Sequence, residues 1–566
     1  MSDAPPPSEP RTRSVPEDAG QVGPAAPTAG DGRNPWLILI VLCGAIFMLL
    51  LDTTIVNVAQ QKIKTGLDAS LTEIQWILDS YILTYAVLLL SFGRLGDVFG
   101  RKKLFVAGMA IFTAASALCG ASGWLGGLVG LSGAQALILA RVLQGMGGAL
   151  MMPQTLSLIS VVFPPEKRGA AMGLWGSVVS LGAIVGPIVG GAIVTNYAWE
   201  WIFLINLPIG IAAIVATLAI VPESKDPLAS GRVDWGGVLL SGTGIFAIVY
   251  AAIEGNIMGW TSPLILGLIG LGSVLLVAFV WWESRTPDPM MKLDLFRIRN
   301  FWAGNVISLA VSFGMLGIFF PMTLFLQGAL GFSPLQAGLT MTPMSVMMMI
   351  MAPISGRLTD RIGARWILVT GLTLMTLGIL FITSRISVAT TWQALLPALV
   401  VTGTGMGMTF APMTAAAMAQ VPPRISGSAS GVLNTTRNIG QVLGIAVLGS
   451  VLQTQLGNHA LDRLATVDGL QDTTRDAIGG LVRDSSFPDI PAAVDSLQPE
   501  LLDSLPVILG AAQQAFVDGL RDTFLIGAAA CLFGVGIALL VQNPRSRSVV
   551  ARERRPVAAE APGTAD

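Results

Sequence analysis

The sequence has 566 residues, of which 53% are hydrophobic and only 12% are charged, and its mean hydropathy is +0.70. Soluble domains carry about 25% charged residues, so this composition predicts a polytopic membrane protein. No compact basic domain stands apart, so no nucleic-acid partner is expected. The single histidine (His459) argues against a histidine-based metal site, and the three cysteines in separate apolar runs (Cys43, Cys119 and Cys531) argue against a disulfide framework or a CxxC metal site.

The N-terminal residues 1–34 are rich in Pro, Ala, Gly and Asp and contain few large apolar side chains. They are predicted to form a disordered tail, because such a segment cannot bury a core. The apolar run that begins at Trp36 is too long for the core of a signal peptide and is not followed by a small-residue cleavage site. This run is therefore predicted to be the first membrane span.

Runs of about 20 apolar residues recur along the chain, and a helix of that length crosses a bilayer core of about 30 Å. They predict fourteen transmembrane helices, at 36–58, 73–96, 104–122, 134–160, 170–194, 201–221, 234–254, 263–283, 301–326, 335–356, 366–384, 392–413, 427–452 and 521–542. The fold class that follows is an all-α polytopic membrane protein.

Lysine and arginine are concentrated in every second connection between these helices. Four of the opposite connections contain neither residue: 123–133, 195–200, 255–262 and 327–334. Connections rich in Lys and Arg remain on the cytoplasmic side of a membrane. Both termini, including a C-terminal tail at 543–566, are therefore predicted to be cytoplasmic, with the protein in the cell membrane.

A charged, glycine-rich turn occurs twice with the same spacing, as GRLGDVFGRKKLF at Gly93–Phe105 and GRLTDRIGARWIL at Gly356–Leu368. Each copy follows the second predicted helix of its half, so we expect two six-helix halves of parallel origin, as in many transporters. The predicted domains are the halves 35–222 and 301–542, an inserted helix pair with its linker at 223–300, and an external loop at 453–520 with short amphipathic helices at Leu497–Leu505 and Ile508–Leu520.

The repeated turn carries residues suited to a reversible contact between the halves. Gly93 and Gly100 allow a close approach of helices, and Asp97 can accept hydrogen bonds from a helix N-terminus, where the dipole is positive. Arg94 and Arg101 can bridge to carboxylates or helix C-termini. We predict a conformational latch, and a simple positively charged anchor is the alternative. The second-half members of this latch are Gly356, Asp360 and Arg361.

Three ionisable residues, Asp52, Asp79 and Arg141, lie inside predicted helices. At a rise of 1.5 Å per residue, all three are about 10 Å below the outer surface. Charges within a bilayer are costly unless they are paired or hydrated, and they commonly mark functional cavities. We therefore predict a shared polar pocket in which Asp52 or Asp79 takes up and releases a proton. A static ion pair is the alternative.

Two predicted helices carry further polar side chains on one face. In ARVLQGMGGALMMP, Gln144 follows Arg141 by one turn of helix. In the thirteenth span, Asn434, Arg437 and Asn438 form a stripe that we expect to face a cavity. These residues complete the predicted proton-coupling or substrate site.

The segment LGAIVGPIVGG places Gly182, Gly186 and Gly190 four residues apart, with Pro187 between them and Gly191 at the end. Small residues at this spacing favour close contact between helices, and proline provides a kink point. The pattern predicts a helix that bends or rolls against a partner, with static packing as the alternative.

GRLGDVFGRKK, ARVLQGMGGA and LGAIVGPIVGG together resemble motifs of the major facilitator superfamily. LDTTIVNVA, WILDSY, WIFLINLPIG and IEGNIMGW resemble signatures of its fourteen-helix drug:proton antiporters, and the resemblance covers about residues 36–542. It implies that Arg141 aids proton coupling and that Asp52 and Asp79 serve protonation or cation binding. It also implies antiport, through LGAIVGPIVGG. Glu200 departs from the family pattern, which usually has arginine at that position.

We therefore expect a proton-coupled antiporter that exports amphipathic, often cationic, drugs or toxic compounds by alternating access. A dedicated exporter of an endogenous metabolite, antibiotic or lipid is the alternative, and a membrane enzyme or a non-transporting sensor is a remote one. No GxxxxGK[ST] phosphate loop is present, so the expected energy source is a proton gradient, without a cofactor. The expected partners are drug-like molecules, protons and the lipid bilayer, with the protein acting as a monomer or with an adaptor in the cell envelope.

Overall fold

The computed structural model describes residues 34–227, 231–332, 334–467, 469–483, 490–498 and 504–543. The two predicted tails lie outside these ranges, apart from Asn34 and Asn543. All regular secondary structure in the described ranges is helical, which confirms the all-α prediction.

The described residues form eighteen α-helices: α1 (Pro35–Leu67), α2 (Leu71–Phe99), α3 (Arg101–Gly120), α4 (Ser122–Val129), α5 (Gly133–Val162), α6 (Arg168–Asn196), α7 (Trp201–Leu204), α8 (Asn206–Ile220), α9 (Trp235–Met258), α10 (Pro263–Glu283), α11 (Arg299–Leu324), α12 (Pro334–Ile362), α13 (Ala364–Arg385), α14 (Trp392–Met418), α15 (Ser426–Leu464), α16 (Asp472–Arg483), α17 (Ile490–Leu497) and α18 (Leu505–Ala538). Short 3-10 turns precede α6, α11 and α15, and a π-helical stretch follows α11.

Thirteen helices in the described ranges are long and apolar enough to cross a membrane. They coincide with thirteen of the fourteen predicted spans. The remaining predicted span, 301–326, is occupied by the 26-residue helix α11, which packs against α14, α15 and α18. The predicted order of long helices is therefore present in the structure.

Reciprocal side-chain bonds mark the start of two of these helices. At α2, the Ser70 hydroxyl accepts a hydrogen bond from the Glu73 N–H at 3.2 Å, and the Glu73 carboxylate accepts one from the Ser70 N–H at 2.9 Å. Ser132 and Gln135 form the same arrangement at α5. These bonds satisfy backbone donors that have no acceptor in a preceding turn, so they determine where each helix begins.

The long helices form two halves, α1 to α8 and α11 to α18. Each half has its own apolar core, which includes Phe105 and Phe112 in the first half and Phe516 and Phe524 in the second. The halves meet where α6 packs against α12 and where α2 packs against α15. The inserted helices α9 and α10 pack against each other, and α9 also contacts α2 and α15. The inserted pair therefore lies at an edge of the interface between the halves.

The segment predicted as an external loop, 453–520, is largely helical where the structure describes it. α15 continues to Leu464 and α18 already begins at Leu505, several turns outside the predicted spans. The predicted separate helix at Ile508–Leu520 is therefore wrong, because these residues form the first turns of α18. Leu497 ends α17, and 499–503 within the predicted Leu497–Leu505 helix lie outside the described residues.

Apolar and polar contacts explain why α15 and α18 extend in this way. Along α18, Ile508, Ala512, Phe516 and Leu520 recur every four residues and are fully buried. Such spacing places the four side chains on one face of the helix. The buried stripe belongs to the same core as the extended part of α15, so packing of one helix on the other maintains both.

An ion pair and a hydrogen bond also join these two helices. Arg463 Nη2 lies 2.6 Å from Asp518 Oδ2, and His459 Nε2 lies 2.9 Å from Asp522 Oδ2. Arg521 donates to the carbonyl oxygen of Ile386 at 2.7 Å. The extended helices are thereby connected to the segment between α13 and α14.

Close packing of α3 on α5 requires a glycine, which gives a stability prediction. A Cβ at Gly147 would lie 2.6 Å from the Phe112 backbone nitrogen and 2.8 Å from the Gly108 carbonyl oxygen. We predict that Gly147→Ala lowers the thermal unfolding midpoint in detergent, at a cost of about 1–3 kcal/mol, because a helix backbone must move. Gly267→Ala is the matched control in α10, where no atom lies within 4 Å of an added Cβ. Equal midpoints for the two variants would contradict the prediction.

Candidate functional site

A buried ion pair joins α1 to α5 in the first half. Arg141 Nη1 lies 2.6 Å from Asp52 Oδ2, and the two side chains are 2% and 0% exposed. Arg141 Nε also donates to the Ile77 carbonyl oxygen at 3.1 Å, and the guanidinium lies 4.2 Å from the centre of the Tyr81 ring. Removing one member of such a pair would leave a buried charge without compensation.

Amide and hydroxyl side chains complete the surroundings of Asp52. Gln144 Nε2 and Asn206 Nδ2 donate to Asp52 Oδ1 at 2.8 and 2.9 Å. The same two amides donate to Ser116 Oγ at 2.9 and 3.3 Å. Helices α1, α3, α5 and α8 therefore meet at one polar network.

Two members of this network were not identified from the sequence. Asn206 lies in WIFLINLPIG, a segment that resembles a family signature, so a polar residue in that apolar stretch was an available signal. Ser116 carried no such signal, because a single serine in a membrane helix commonly bonds to its own backbone. Indeed, Ser116 also donates to the Phe112 carbonyl oxygen at 2.9 Å.

The structure places Asp79 outside this network. Asp79 is half-buried in α2 and has no hydrogen bond or ion pair to any described residue. Its carboxylate instead interacts electrostatically with Glu254 of the inserted helix α9. Glu254 is 9% exposed. The acidic side chains of Asp79 and Glu254 therefore lie where the inserted helix α9 meets α2 of the first half.

Asp97 binds the N-terminus of α15 on the side of the membrane where both repeated turns lie, which we call the motif side. Its carboxylate accepts hydrogen bonds from the N–H groups of Gly427 at 2.8 Å and Ser428 at 2.7 Å. Arg101 Nη2 lies 2.7 Å from Asp97 and donates to the Pro423 carbonyl oxygen at 2.7 Å. Because N–H groups at a helix N-terminus attract anions, these contacts join α2 to the second half.

The second copy of the turn makes the reciprocal contact. Asp360, near the end of α12, accepts hydrogen bonds from the N–H groups of Gly169 and Ala170, both at 2.8 Å. These donors lie at the N-terminus of α6 in the first half. Each half therefore supplies a carboxylate to a helix N-terminus of the other half. We call the contacts of Asp97 and Asp360 the crossed clamp.

Glycines allow the helix backbones to meet at the crossed clamp. A Cβ at Gly93 would lie 2.7 Å from the Gly427 carbonyl oxygen. A Cβ at Gly356 would collide with the Gly169 carbonyl oxygen in the same way. A side chain at either position would separate the helices, and the N–H groups would move away from the carboxylates.

The remaining predicted latch residues differ in their surroundings. Gly100 and Gly363 occupy equivalent positions, with φ of +113° and +87°, a region that glycine adopts readily. Arg94 is buried, and its Nη1 has no hydrogen-bond partner in the described chain. Burial lowers the pKa of the Lys292 amine, and the nearby charge of Arg94 lowers it further. Arg361 is exposed.

The polar stripe of α15 continues from the crossed clamp into the membrane. Asn434 and Asn438 donate to carbonyl oxygens one turn earlier in α15, at 2.9 and 3.0 Å. Arg437 instead lies 5.4 Å from the centre of the Trp175 ring in α6 and 5.3 Å from that of Phe410 in α14. Arg437 therefore contacts aromatic rings of both halves.

The glycines of the predicted antiporter helix pack α6 on α1. A Cβ at Gly182 would lie 2.8 Å from Leu50, and one at Gly190 would lie 2.6 Å from Ile55. Gly186 meets the next turn of α1 between these two contacts. Helix α6 is continuous through the other two predicted residues, Pro187 and Gly191.

Hydrogen bonds between the halves extend inward from the crossed clamp. The hydroxyls of Ser157 and Ser426 lie 2.7 Å apart, and Ser430 Oγ donates to the Pro153 carbonyl oxygen at 2.7 Å. Further inside the membrane, Ser177 Oγ donates to the second half at 2.8 Å. In the described chain, the halves are therefore closed against each other on the motif side.

The structure has two six-helix halves that close against each other at one membrane face. Buried charges lie within and between these halves. Such an architecture defines a polytopic membrane transporter. A family model described as Major Facilitator Superfamily matches residues 42–445, and the chain belongs to this superfamily. The chain is 31% identical over 522 residues to the tetracenomycin C resistance and export protein of Streptomyces glaucescens. This alignment covers 91% of this chain and 93% of that protein.

A second relative is the multidrug resistance protein Stp of Mycobacterium tuberculosis (strain CDC 1551 / Oshkosh), which is 34% identical to this chain over 500 residues. This alignment covers 88% of this chain and 90% of that protein. Among solved structures, the human organic anion transporter MFSD10 (TETRAN) superimposes with a TM-score of 0.57 at 13% identity. The superposition covers 88% of this chain and 99% of that chain, which shows a shared fold.

The buried ion pair gives a second stability prediction. Asp52→Asn leaves Arg141 without a counter-charge, so we predict that it lowers the free energy of unfolding by about 3–5 kcal/mol. Adding Arg141→Gln removes the isolated charge, and the double variant should recover part of this loss. Asp79→Asn is the control, with a smaller expected effect because Asp79 has no cationic partner among the described residues. Unfolding in detergent measures all four proteins. Similar losses for Asp52→Asn and Asp79→Asn, without recovery in the double variant, would rule out the stabilising role of the pair.

Proposed function

We propose that the protein is a proton-coupled antiporter that exports amphipathic drug-like compounds across the cell membrane. The names of two relatives, which describe tetracenomycin C resistance and export and multidrug resistance, support the export of such compounds. The distribution of Lys and Arg supports a cytoplasmic motif side and two cytoplasmic termini. The proposed partners are the exported compound, the proton and the surrounding bilayer.

The observation that carries proton coupling is a contrast between two carboxylates of the first half. Asp52 is fully buried and is bound by Arg141 and two amides. Asp79 interacts with a second carboxylate, Glu254. Two nearby negative charges repel each other, and one proton bound by the pair removes the repulsion. The Asp79–Glu254 pair is therefore the proposed proton site, and the Asp52–Arg141 pair is the proposed structural contact between α1 and α5.

Helix α2 connects the proposed proton site to the crossed clamp. It carries Asp79 near its outer end and Asp97 at its motif-side end, and it packs against both α9 and α15. Protonation of Asp79 weakens its repulsion from Glu254 and so changes how α2 packs on α9. A displacement of α2 also moves Asp97 relative to the N-terminus of α15. A proton taken up from outside in this closed state thereby favours opening of the motif side, where the proton leaves and the compound enters.

Replacement of the acidic pair tests proton coupling. We predict that Asp79→Asn and Glu254→Gln each reduce pH-gradient-driven dye movement in proteoliposomes by roughly tenfold, a factor typical of coupling between two sites. Dye exchange without a gradient should persist, because the path for the compound is intact. Asp68→Asn replaces an exposed carboxylate at the end of α1 and is the matched control. Full gradient-driven movement in both acidic-pair variants would remove this pair from the mechanism.

A reversible cross-link tests alternating access. Ser157 and Ser426 have hydroxyls 2.7 Å apart across the two halves, so cysteines there need only a small shift to reach the S–S distance of about 2.0 Å. We predict that oxidation of the Ser157→Cys/Ser426→Cys variant stops dye transport and that a reducing agent restores it. The single variants are controls, since the native cysteines Cys43, Cys119 and Cys531 are buried. Undiminished transport by the cross-linked protein would contradict a cycle that opens the motif side.

A further inference from the structure

We propose that Arg437 and Trp175 form a binding site for the anionic acceptor group of an aromatic compound, such as a carboxylate or a phenolate. This inference rests on the proposed export function and names the class of compound that the transporter takes. Arg437 is 8% exposed and lies in α15, about 14 Å along the helix from Ser428 of the crossed clamp at 1.5 Å per residue. It is therefore deep in the membrane, beyond the closed contacts of the motif side.

Aromatic rings from both halves flank the Arg437 guanidinium. The Trp175 ring belongs to the first half and the Phe410 ring to the second, with centres 5.4 and 5.3 Å from the guanidinium carbon. The Tyr85 phenol of α2 lies near Arg437. A compound bound here touches both halves, so relative movement of the halves changes its surroundings.

The site offers hydrogen-bond donors without matching acceptors. Nε and Nη2 of Arg437 and Nε1 of Trp175 are buried, and none of them has a hydrogen-bond partner in the described chain. Arg437 also takes part in none of the ion pairs that the described residues form. Buried donors without acceptors are costly. A bound group that accepts hydrogen bonds removes this cost, and an anionic acceptor forms the stronger, charge-assisted bonds.

These donors determine the chemical class of the compound. A guanidinium repels an organic cation, which is the class expected from the family resemblance, and attracts a carboxylate or phenolate. The rings of Trp175 and Phe410 favour a second aromatic system through stacked or edge contacts. The geometry therefore points to an aromatic compound whose acceptor group binds Arg437 and whose ring lies between the two halves.

Two xanthene dyes of similar size and opposite charge test this preference: fluorescein, which is anionic at neutral pH, and rhodamine 123, which is cationic. Fluorescence polarisation measures their binding to the purified full-length protein without a pH gradient. We expect the wild type to bind fluorescein more tightly. Arg437→Gln should raise the dissociation constant of fluorescein by about tenfold and that of rhodamine 123 by less than about twofold, because charge-assisted bonds to the anion alone are lost. Arg437→Lys should give an intermediate affinity, since it keeps the charge but not the planar fork.

Control variants separate binding from folding. Trp175→Phe keeps an aromatic ring and removes the Nε1 donor, so it should weaken fluorescein binding about threefold to tenfold without weakening rhodamine 123 binding. Arg297→Gln makes the same change of charge at a side chain that is 87% exposed and should alter neither dye. Arg437→Gln should also keep or raise the thermal midpoint of the ligand-free protein, because it removes an unpaired buried charge.

The outcomes distinguish this inference from the proposed function. Equal weakening of both dyes by Arg437→Gln, a wild-type preference for rhodamine 123, or binding of neither dye would overturn the inference. A wild-type protein that moves rhodamine 123 but not fluorescein in response to a pH gradient would overturn it while the proposed function stands. If reconstituted wild-type protein moves no compound in response to a gradient, the proposed function itself fails.

Discussion

Charges inside a membrane protein must find their partners within the protein, because hydrocarbon supplies neither hydrogen bonds nor counter-ions. In the first half, Asp52 and Arg141 compensate each other, and the amides around them draw α1, α3, α5 and α8 together. At the motif side, Asp97 and Asp360 are compensated by the N-termini of helices from the opposite half. These contacts join helices within the first half and join one half to the other through buried polar groups.

The crossed clamp joins the halves through hydrogen bonds and close backbones rather than through large apolar side chains. Glycines such as Gly93 and Gly356 let the helices come near enough for N–H groups to reach a carboxylate. When such a contact opens at the membrane surface, water can replace the lost hydrogen bonds, so the net cost is modest. Separation of a large apolar surface would be more costly, since it exposes that area to water. The interface chemistry therefore suits a contact that forms and breaks repeatedly.

Asp79 and Arg437 both lack an opposite charge among the described residues. Asp79 interacts with Glu254, a group of the same sign, and Arg437 lies between aromatic rings without an acceptor. Both lie where helices of different origin meet: the first at the inserted helix α9 and the second between the halves. In the proposed cycle, a proton and a compound with an acceptor group supply the missing charge and hydrogen bonds at these two places.

Much of the fold was predictable because membrane insertion imposes a simple rule of length and apolarity. Thirteen predicted spans coincide with long apolar helices. The repeated turn predicted two halves, and in the structure α6 packs against α12 and α2 packs against α15. The same rule failed for 453–520, where polar composition indicated a loop. There the buried stripe from Ile508 to Leu520 forms the first turns of α18. The spacing of apolar side chains on one helix face decides the structure of this segment more than its average polarity does.

The sequence by itself determined which residues are charged, how far each lies along its predicted helix and which turn is repeated, because residue type and a constant rise per residue depend only on the chain. Only the tertiary structure decided their partners. Asp52 and Asp79 lie at a similar predicted depth, yet one bonds to Arg141 and the other interacts with Glu254. The predicted depth of a residue follows from its position along its own helix. The partners of its side chain depend on the neighbouring helices, which distant parts of the sequence supply.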